Sequence, residues 1–396
     1  MSVAEQGALT GIRVLEAGLL VQGPQAAALL AQFGADVTKV ELPGVGDQSR
    51  FLPISMPDDL RSAYFMGCNR GKRSITIDMR TAQGRETFLL LAAESDVVIT
   101  NFKPGTMDEW GLGYEDVAAR NPRVVYAAGS AFGPEGPDAH REGADLSAQA
   151  AGGLINATGR DDGEPTPVAV TIADHISSLN LVSGVLAALV ARDRTGRGQR
   201  IDVSLLGSQI WAQASEYTYY LAGGELPGKP NRGHPMIAGL YGIMPTADGW
   251  LAIVGVVPAQ RPAFYGAVGR PELADDPRFS TLLLAPAQKA ELFAILAEVF
   301  VQKPTAEWCT ILAAAGQRFA PVRNYAEVAA DPQVWANGYL HEADGERTVG
   351  TPIRFSDTPA RVGGPAPELG QHTEEILLEA GLSWDEITRL RDAGAI

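Results

Sequence analysis

Asp174 stands where the period of the sequence changes. Thr166 to Ile172 is apolar and β-branched, which predicts a buried strand. Apolar residues then recur at Ile176, Leu179, Val182, Val185, Leu186 and Leu189, which predicts a helix to about Arg192. A carboxylate at that junction meets the free N–H groups and the positive end of the helix. It is expected to stay ionised there even when shielded from water, as a carboxylate nucleophile must. An aspartate at this place is also a preferred helix N-cap, and the two roles are compatible.

A second acid, Asp145 in REGADLSAQAAGG, precedes Leu146 to Ala151 and also reads as an N-cap. The cations of interest are Arg70, Lys72 and Arg73 in CNRGKRSITIDM, ahead of a strand at 74–79, and Lys103 at the end of a strand at 96–101. Such residues either form a solvated turn or supply charge-assisted hydrogen bonds to phosphates. Lys39 and Arg50 are weaker candidates, since surface charge is the common fate of these residue types.

These side chains sit in 396 residues with a formal net charge of −15, which argues against nucleic acid or an anionic membrane as partner. A small anionic ligand needs only a local basic patch. Hydrophobic residues make up 45%, enough for a sizeable core, and the length favours two domains. Cys68 and Cys309 show no metal-ligand spacing, and no metal is expected. The opening MSVAEQGALTG has no basic or apolar leader pattern, and no apolar run reaches the ~18 residues of a membrane helix, so a cytoplasmic protein is expected.

Strands are predicted at 12–15, 36–42, 74–79, 96–101, 123–128 and 200–203, with helices at 26–33 and 81–94 between them. This alternation predicts a parallel α/β sheet whose loops gather at the carboxyl edge. The first loop, EAGLLVQGPQ, is not GxGxxG. Gly18 and Gly23 have Walker spacing, but Pro24 and Gln25 replace the Lys and Ser/Thr. Gly23-Pro24 instead suits a tight helix start. The expected divisions are a large domain over 1–203, a long helix and linker over 204–230, a small α+β domain over 231–320, and a return over 321–396. The small domain holds a hairpin turn at Ala247-Asp248-Gly249 and helices near 258–268, 286–300 and 304–315. A helical pair at 373–380 and 384–392 closes the chain.

Six segments, taken in order, resemble the class III CoA-transferases, the CaiB/BaiF family. They are VLEAGLLVQGPQAAALLAQFGADVTKVELPGVGDQSR, NRGKRSITIDM, DVVITNFKPGTMDEWGLGYE, NPRVVYAAGSAFGPEGP, the Asp174 stretch with RTGRGQRIDVSLL, and APELGQHTEEIL. The resemblance implies a Rossmann-like large domain built from both chain ends, a smaller domain, and an interlocked homodimer. It implies coenzyme A or acyl-CoA as substrate, with no permanently bound cofactor and a carboxylic acid as the second substrate. Asp174 matches the family's catalytic aspartate, and Asp145 an acid near the thioester. Val21, Gln22, Lys72, Arg73 and Lys103 match the positions that would meet coenzyme A.

The chain also departs from family patterns. Leu42 stands where some transferases stack an arginine on adenine, and GGELPGKPNRGHPMIAG replaces the glycine run of formyl-CoA transferases. A racemase or epimerase of the same family is the first alternative. It needs two titrating groups, yet Ala144 replaces the racemase histidine and VGVVPAQRPAF holds no glutamate. A non-catalytic acyl-CoA-binding protein is the second.

Overall fold

A computed structural model describes residues 7–52, 55–56, 59–237, 239–279, 284–343 and 345–396. Pro53, in the loop after the second strand, and Ala238, in the glycine-rich stretch, lie outside them.

The chain opens with β1 (Arg13–Ala17), α1 (Gln22–Gln32) and β2 (Asp36–Glu41). A short hairpin of β3 (Ser55–Met56) and β4 (Asp59–Ser62) leads to α2 (Ala63–Asn69) and β5 (Arg73–Thr76). Then come α3 (Ala82–Ala93), β6 (Val97–Thr100), α4 (Thr106–Glu109), α5 (Tyr114–Arg120) and β7 (Val125–Ser130). They are followed by α6 (Asp145–Ala151), α7 (Leu154–Ala157), α8 (Ile172–Thr195), β8 (Gln199–Ser204), α9 (Leu205–Ala212) and α10 (Ala214–Gly223). The antiparallel β9 (Leu240–Pro245) and β10 (Trp250–Val256) precede α11 (Arg261–Ala267), α12 (Pro286–Phe300), α13 (Thr305–Ala314) and β11 (Phe319–Pro321). Last are α14 (Tyr325–Ala329), α15 (Pro332–Ala336), β12 (Leu340–Ala343), β13 (Glu346–Val349), α16 (Thr373–Glu379) and α17 (Trp384–Asp392).

Two compact units result. The first runs to Gly153, resumes over Val168–Gln213 and ends with Pro332–Ile396; the second is Leu154–Pro167 with Ala214–Asp331. In the first unit six strands form a sheet in the order β5-β2-β1-β6-β7-β8, every pair parallel. The order reverses between β1 and β6, so the loops leaving these two strands diverge and open a crevice at the carboxyl edge. Alternate strand residues face opposite layers. Val14, Val37, Ile99 and Val125 pack with Leu30 of α1 and Leu181 and Val185 of α8. Leu15, Val40, Ile75 and Val98 pack with Phe88 of α3, Ile376 of α16 and Ile387 of α17. The second unit packs β9, β10 and β11 on α11, α12 and α13 through Met244, Leu251, Phe264, Leu292 and Trp308.

Two expectations fail. Thr166 to Thr171 forms no strand but an irregular approach to α8, which Ile172 opens, and Val170 is 41% exposed. The Gln149 side chain serves its backbone in place of a neighbouring strand. It accepts from Val168 N at 3.0 Å and donates to Val168 O and Val170 O at 3.3 Å each. β-branched residues favour a strand only where a pleated partner surface exists. The long helix expected after 204 is two, α9 and α10, interrupted at Gln213, where the first unit's segment also ends. By length and composition α8 could cross a bilayer, but Leu181, Val185 and Leu189 are spent on the core of the sheet.

Beneath the carboxyl edge lies a buried charge cluster. The Lys39 ammonium, fully buried, meets Glu16 Oε1 at 2.8 Å, Asp47 Oδ2 at 2.9 Å and Gly18 O at 2.9 Å. Lys72 Nζ donates to Glu16 Oε2 at 2.6 Å, Pro24 O at 2.8 Å and Asn69 Oδ1 at 2.8 Å. Arg50 clamps Glu41 with two bonds of 2.8 and 2.7 Å. Lys39 and Arg50 are therefore structural rather than surface charges. Burial alone would lower Lys39, but Glu16, Asp47 and Glu41 outweigh it and hold it above the ordinary lysine range. Removing one member leaves the others buried and unpaired, which costs more than the pair contributes. Lys39→Met is expected to destabilise the protein by about 3–5 kcal/mol, seen as a lower midpoint in urea unfolding.

Candidate active site

Two helix N-termini, those of α1 and α8, meet at the carboxyl edge. Gln22, the first residue of α1, is buried and donates from Nε2 to Ser177 Oγ on α8 at 2.6 Å. Ser178 Oγ in turn lies 2.7 Å from Gln22 O and 2.8 Å from Asp174 O, with a single proton to share between them. A glycine on β7 makes room: a Cβ at Gly129 would come within 2.4 Å of Gln22 Oε1. The first turn of α1 leaves the N–H groups of Gln22 and Gly23 without helical acceptors, and Pro24 has none to offer. Asn101, leaving β6, binds both Leu19 N and Leu19 O at 2.8 Å and so spans the point where the sheet order reverses.

Asp174 is the third residue of α8, not its N-cap; the cap position is Thr171, which makes no side-chain cap bond. Asp145 likewise does not cap its own helix, for Ala144 precedes it there. Its carboxylate instead reaches across to α8, where Oδ1 accepts from Ala173 N at 2.7 Å and Asp174 N at 3.2 Å. Oδ2 accepts from Gln149 Nε2 at 2.6 Å. Asp145 is buried, and it takes the helix-end donors that Asp174 was expected to use. Among the described residues the Asp174 carboxylate has no hydrogen-bond or ion-pair partner. Burial first, and the Asp145 charge second, raise its pKa to about 7, so it does not stay fully ionised at neutral pH as expected.

The expected coenzyme-binding residues separate. Val21 is the buried N-cap residue of α1, and its carbonyl accepts from Gln25 N at 2.8 Å. Lys72 is turned inward, and all three of its donors are committed to Glu16, Pro24 and Asn69. Burial pulls its pKa down to about 8 against the opposing pull of Glu16. This arrangement leaves it no donor for a phosphate. Arg73, one residue on, projects from the opposite face, as strand alternation requires. There it pairs with Asp36 at 2.8 Å and with Glu379 of α16 at 2.7 Å, away from Asp174. Lys103 is exposed beyond β6 at the carboxyl edge and makes no ion pair among the described residues.

Sequence reasoning missed Gln149, Ser177, Ser178 and Asn101. Only Gln149 left a readable signal, since it lies four residues after Asp145 on one helix and so shares its face.

A sequence profile described as CoA-transferase family III matches residues 9–373. The chain belongs to CoA-transferase family III. The transferase is 36% identical to a succinate–glutarate CoA-transferase of Agrobacterium fabrum, over 94% of this chain and 95% of that one. It is 36% identical to a succinyl-CoA:mesaconate CoA-transferase of Haloarcula marismortui, over 95% and 97% of the two chains. Its fold superposes on the crystal structure of a CaiB/BaiF family protein from Brucella suis with a TM-score of 0.86 and 38% identity, covering 95% of this chain and all of that one.

The raised Asp174 makes the transferase's stability depend on pH in a defined direction. Below the ordinary aspartate range the group is protonated both folded and unfolded, and it costs nothing. Above about 7 it is charged while partly buried, and its penalty is complete. Asp174→Asn should therefore be more stable than the wild type at pH 8, by a few kcal/mol at most, and lose that advantage by pH 4. Thermal unfolding at the two pH values measures it.

Proposed function

We propose that the protein moves coenzyme A between an acyl-CoA thioester and a free carboxylic acid through a covalent intermediate on Asp174. The carrying observation is a carboxylate at the head of α8 without hydrogen-bond partners among the described residues, on a helix that Gln22 of α1 joins through Ser177 and Ser178. In the first step an ionised Asp174 oxygen attacks the thioester carbonyl carbon. The C–S bond breaks, CoA thiolate leaves, and a mixed anhydride forms. The thiolate then attacks the Asp174 carbonyl carbon and expels the donor acid, giving an aspartyl-CoA thioester. An acceptor carboxylate attacks that thioester and the steps run in reverse. Each attack builds an oxyanion, and the N–H groups of Gln22 and Gly23, which have no acceptor among the described residues, are the donors proposed to meet it.

The named relatives act on succinate, glutarate or mesaconate, which supports a dicarboxylic acid and its CoA thioester as substrates. The partner is proposed to be a second copy of the chain. Within the first unit, Leu179 and Val190 of α8 and Trp211 of α9 are 51%, 72% and 73% exposed, an apolar surface that supports it. The unpaired Cys68 and Cys309 suit the reducing cytoplasm. Racemization gains no support, because Asp145, the acid beside the missing histidine position at Ala144, is committed to the backbone N–H groups of Ala173 and Asp174.

Incubation with succinyl-CoA followed by hydroxylamine and peptide mass mapping is expected to find a hydroxamate at Asp174. Asp174→Ala should show no adduct and no turnover; near-normal turnover in that variant would sink the mechanism. Lys103→Ala is expected to raise the KM for acyl-CoA about 5–30-fold with kcat little changed, and the difference should shrink at high salt.

A further inference from the structure

Two carboxylates lie at the head of α8, and only one of them holds its N–H groups. Asp145, from α6, holds the N–H groups of Ala173 and Asp174 at 2.7 and 3.2 Å. Gln149 pins its other oxygen at 2.6 Å and fixes the approach to α8 through Val168 and Val170. Asp174, whose own N–H is taken, keeps a carboxylate with no partner among the described residues. The elements packed around it add little else. α1 presents the uncharged Gln22; α8 itself offers Ser177, Ser178 and His175; α9 brings Leu205 against Ala173. His175 is kept below the ordinary imidazole range by desolvation, so near neutrality Asp145 is the charge that faces Asp174.

We propose that Asp145 is a positioning residue that captures the donors at the head of α8, so that Asp174 attacks as an unsatisfied anion beside a like charge. This rests on Asp174 being the nucleophile. A carboxylate bonded to helix-end N–H groups is stabilised in the ground state and attacks a carbonyl poorly. One denied those bonds has lost nothing it must break on the way to the transition state. The neighbouring charge acts in the same direction. When Asp174 becomes an anhydride or thioester it is neutral, and its repulsion with Asp145 ends, so each covalent intermediate is favoured over the free enzyme. The same repulsion hinders ionisation of Asp174, so the acidic limb of activity should lie near neutral pH.

The test labels protonated carboxyl groups with a water-soluble carbodiimide and an amine across pH 4–9. The extent at Asp174 is read by peptide mass mapping, with no substrate present. In the wild type, labelling should fall with a midpoint near 7. Asp145→Asn keeps an oxygen to accept both N–H groups and removes the charge. Its midpoint, and the acidic limb of kcat/KM, should drop by about one pH unit or more. An unchanged midpoint in a folded Asp145→Asn protein, or a wild-type midpoint in the ordinary aspartate range, would overturn the proposal. If that variant does not fold, the matched pair Asp145→Glu and Asp145→Gln decides: the first should keep the wild-type midpoint and the second lower it, and equal midpoints would overturn the idea. Absence of the hydroxamate at Asp174 would instead remove the nucleophile reading, which the labelling midpoint does not touch.

Discussion

The Lys39 ammonium is the tie on which the carboxyl edge of the sheet depends. It is buried between Glu16 and Asp47 and bonds the carbonyl of Gly18, so it joins the ends of β1 and β2 to the loops that follow them. Asp47 passes the tie on to Leu20 N at 3.0 Å, and Lys72, through Glu16, passes it to Pro24 O at 2.8 Å. Leu20 and Pro24 flank Val21 and Gln22, so the start of α1 is held from both sides. Gln22 then reaches Ser177 and Ser178, which follow Asp174 on α8. An unbroken run of short bonds thus connects a buried lysine to the proposed nucleophile. Such a cluster is expensive to desolvate, and a well-packed apolar core would be as stable or more so. What it supplies here is a fixed position for a loop that the parallel sheet leaves open.

That opening comes from the strand order. Because the order reverses between β1 and β6, their loops turn apart, and Asn101 spans the gap by bonding both backbone groups of Leu19. The heads of α1 and α8 come together at this edge, joined through Gln22, Ser177 and Ser178. An acyl transfer that passes through oxyanions needs N–H donors fixed before the reaction begins. One of the two helix ends is spent on Asp145, and the Gln22 and Gly23 N–H groups of the other have no acceptor among the described residues.

Much of the framework was legible without coordinates. Strands at 12–15, 36–42, 96–101, 123–128 and 200–203 emerge within a few residues of their predicted limits, because apolar runs between turn residues suit a sheet buried on both faces. The closing helices emerge as α16 and α17. The Thr166 to Ile172 stretch misled because a strand needs a neighbour, and the role of neighbour fell to one glutamine side chain.

Sequence alone determined the alternating α/β order, the family, and Asp174 as the acid to examine, since periodicity and local motifs are properties of neighbouring residues. Tertiary structure alone decided what each charge does. Lys72 and Arg73 are adjacent in sequence, yet strand geometry sends one into the buried cluster and the other to the opposite layer. Asp145 opens α6 but caps α8, a bond across 28 residues that no local pattern encodes. Whether Asp174 is solvated, paired or left alone depends on which groups the fold places within about 3 Å of it, and electrostatic energies at that range are set by contact and burial rather than by spacing along the chain.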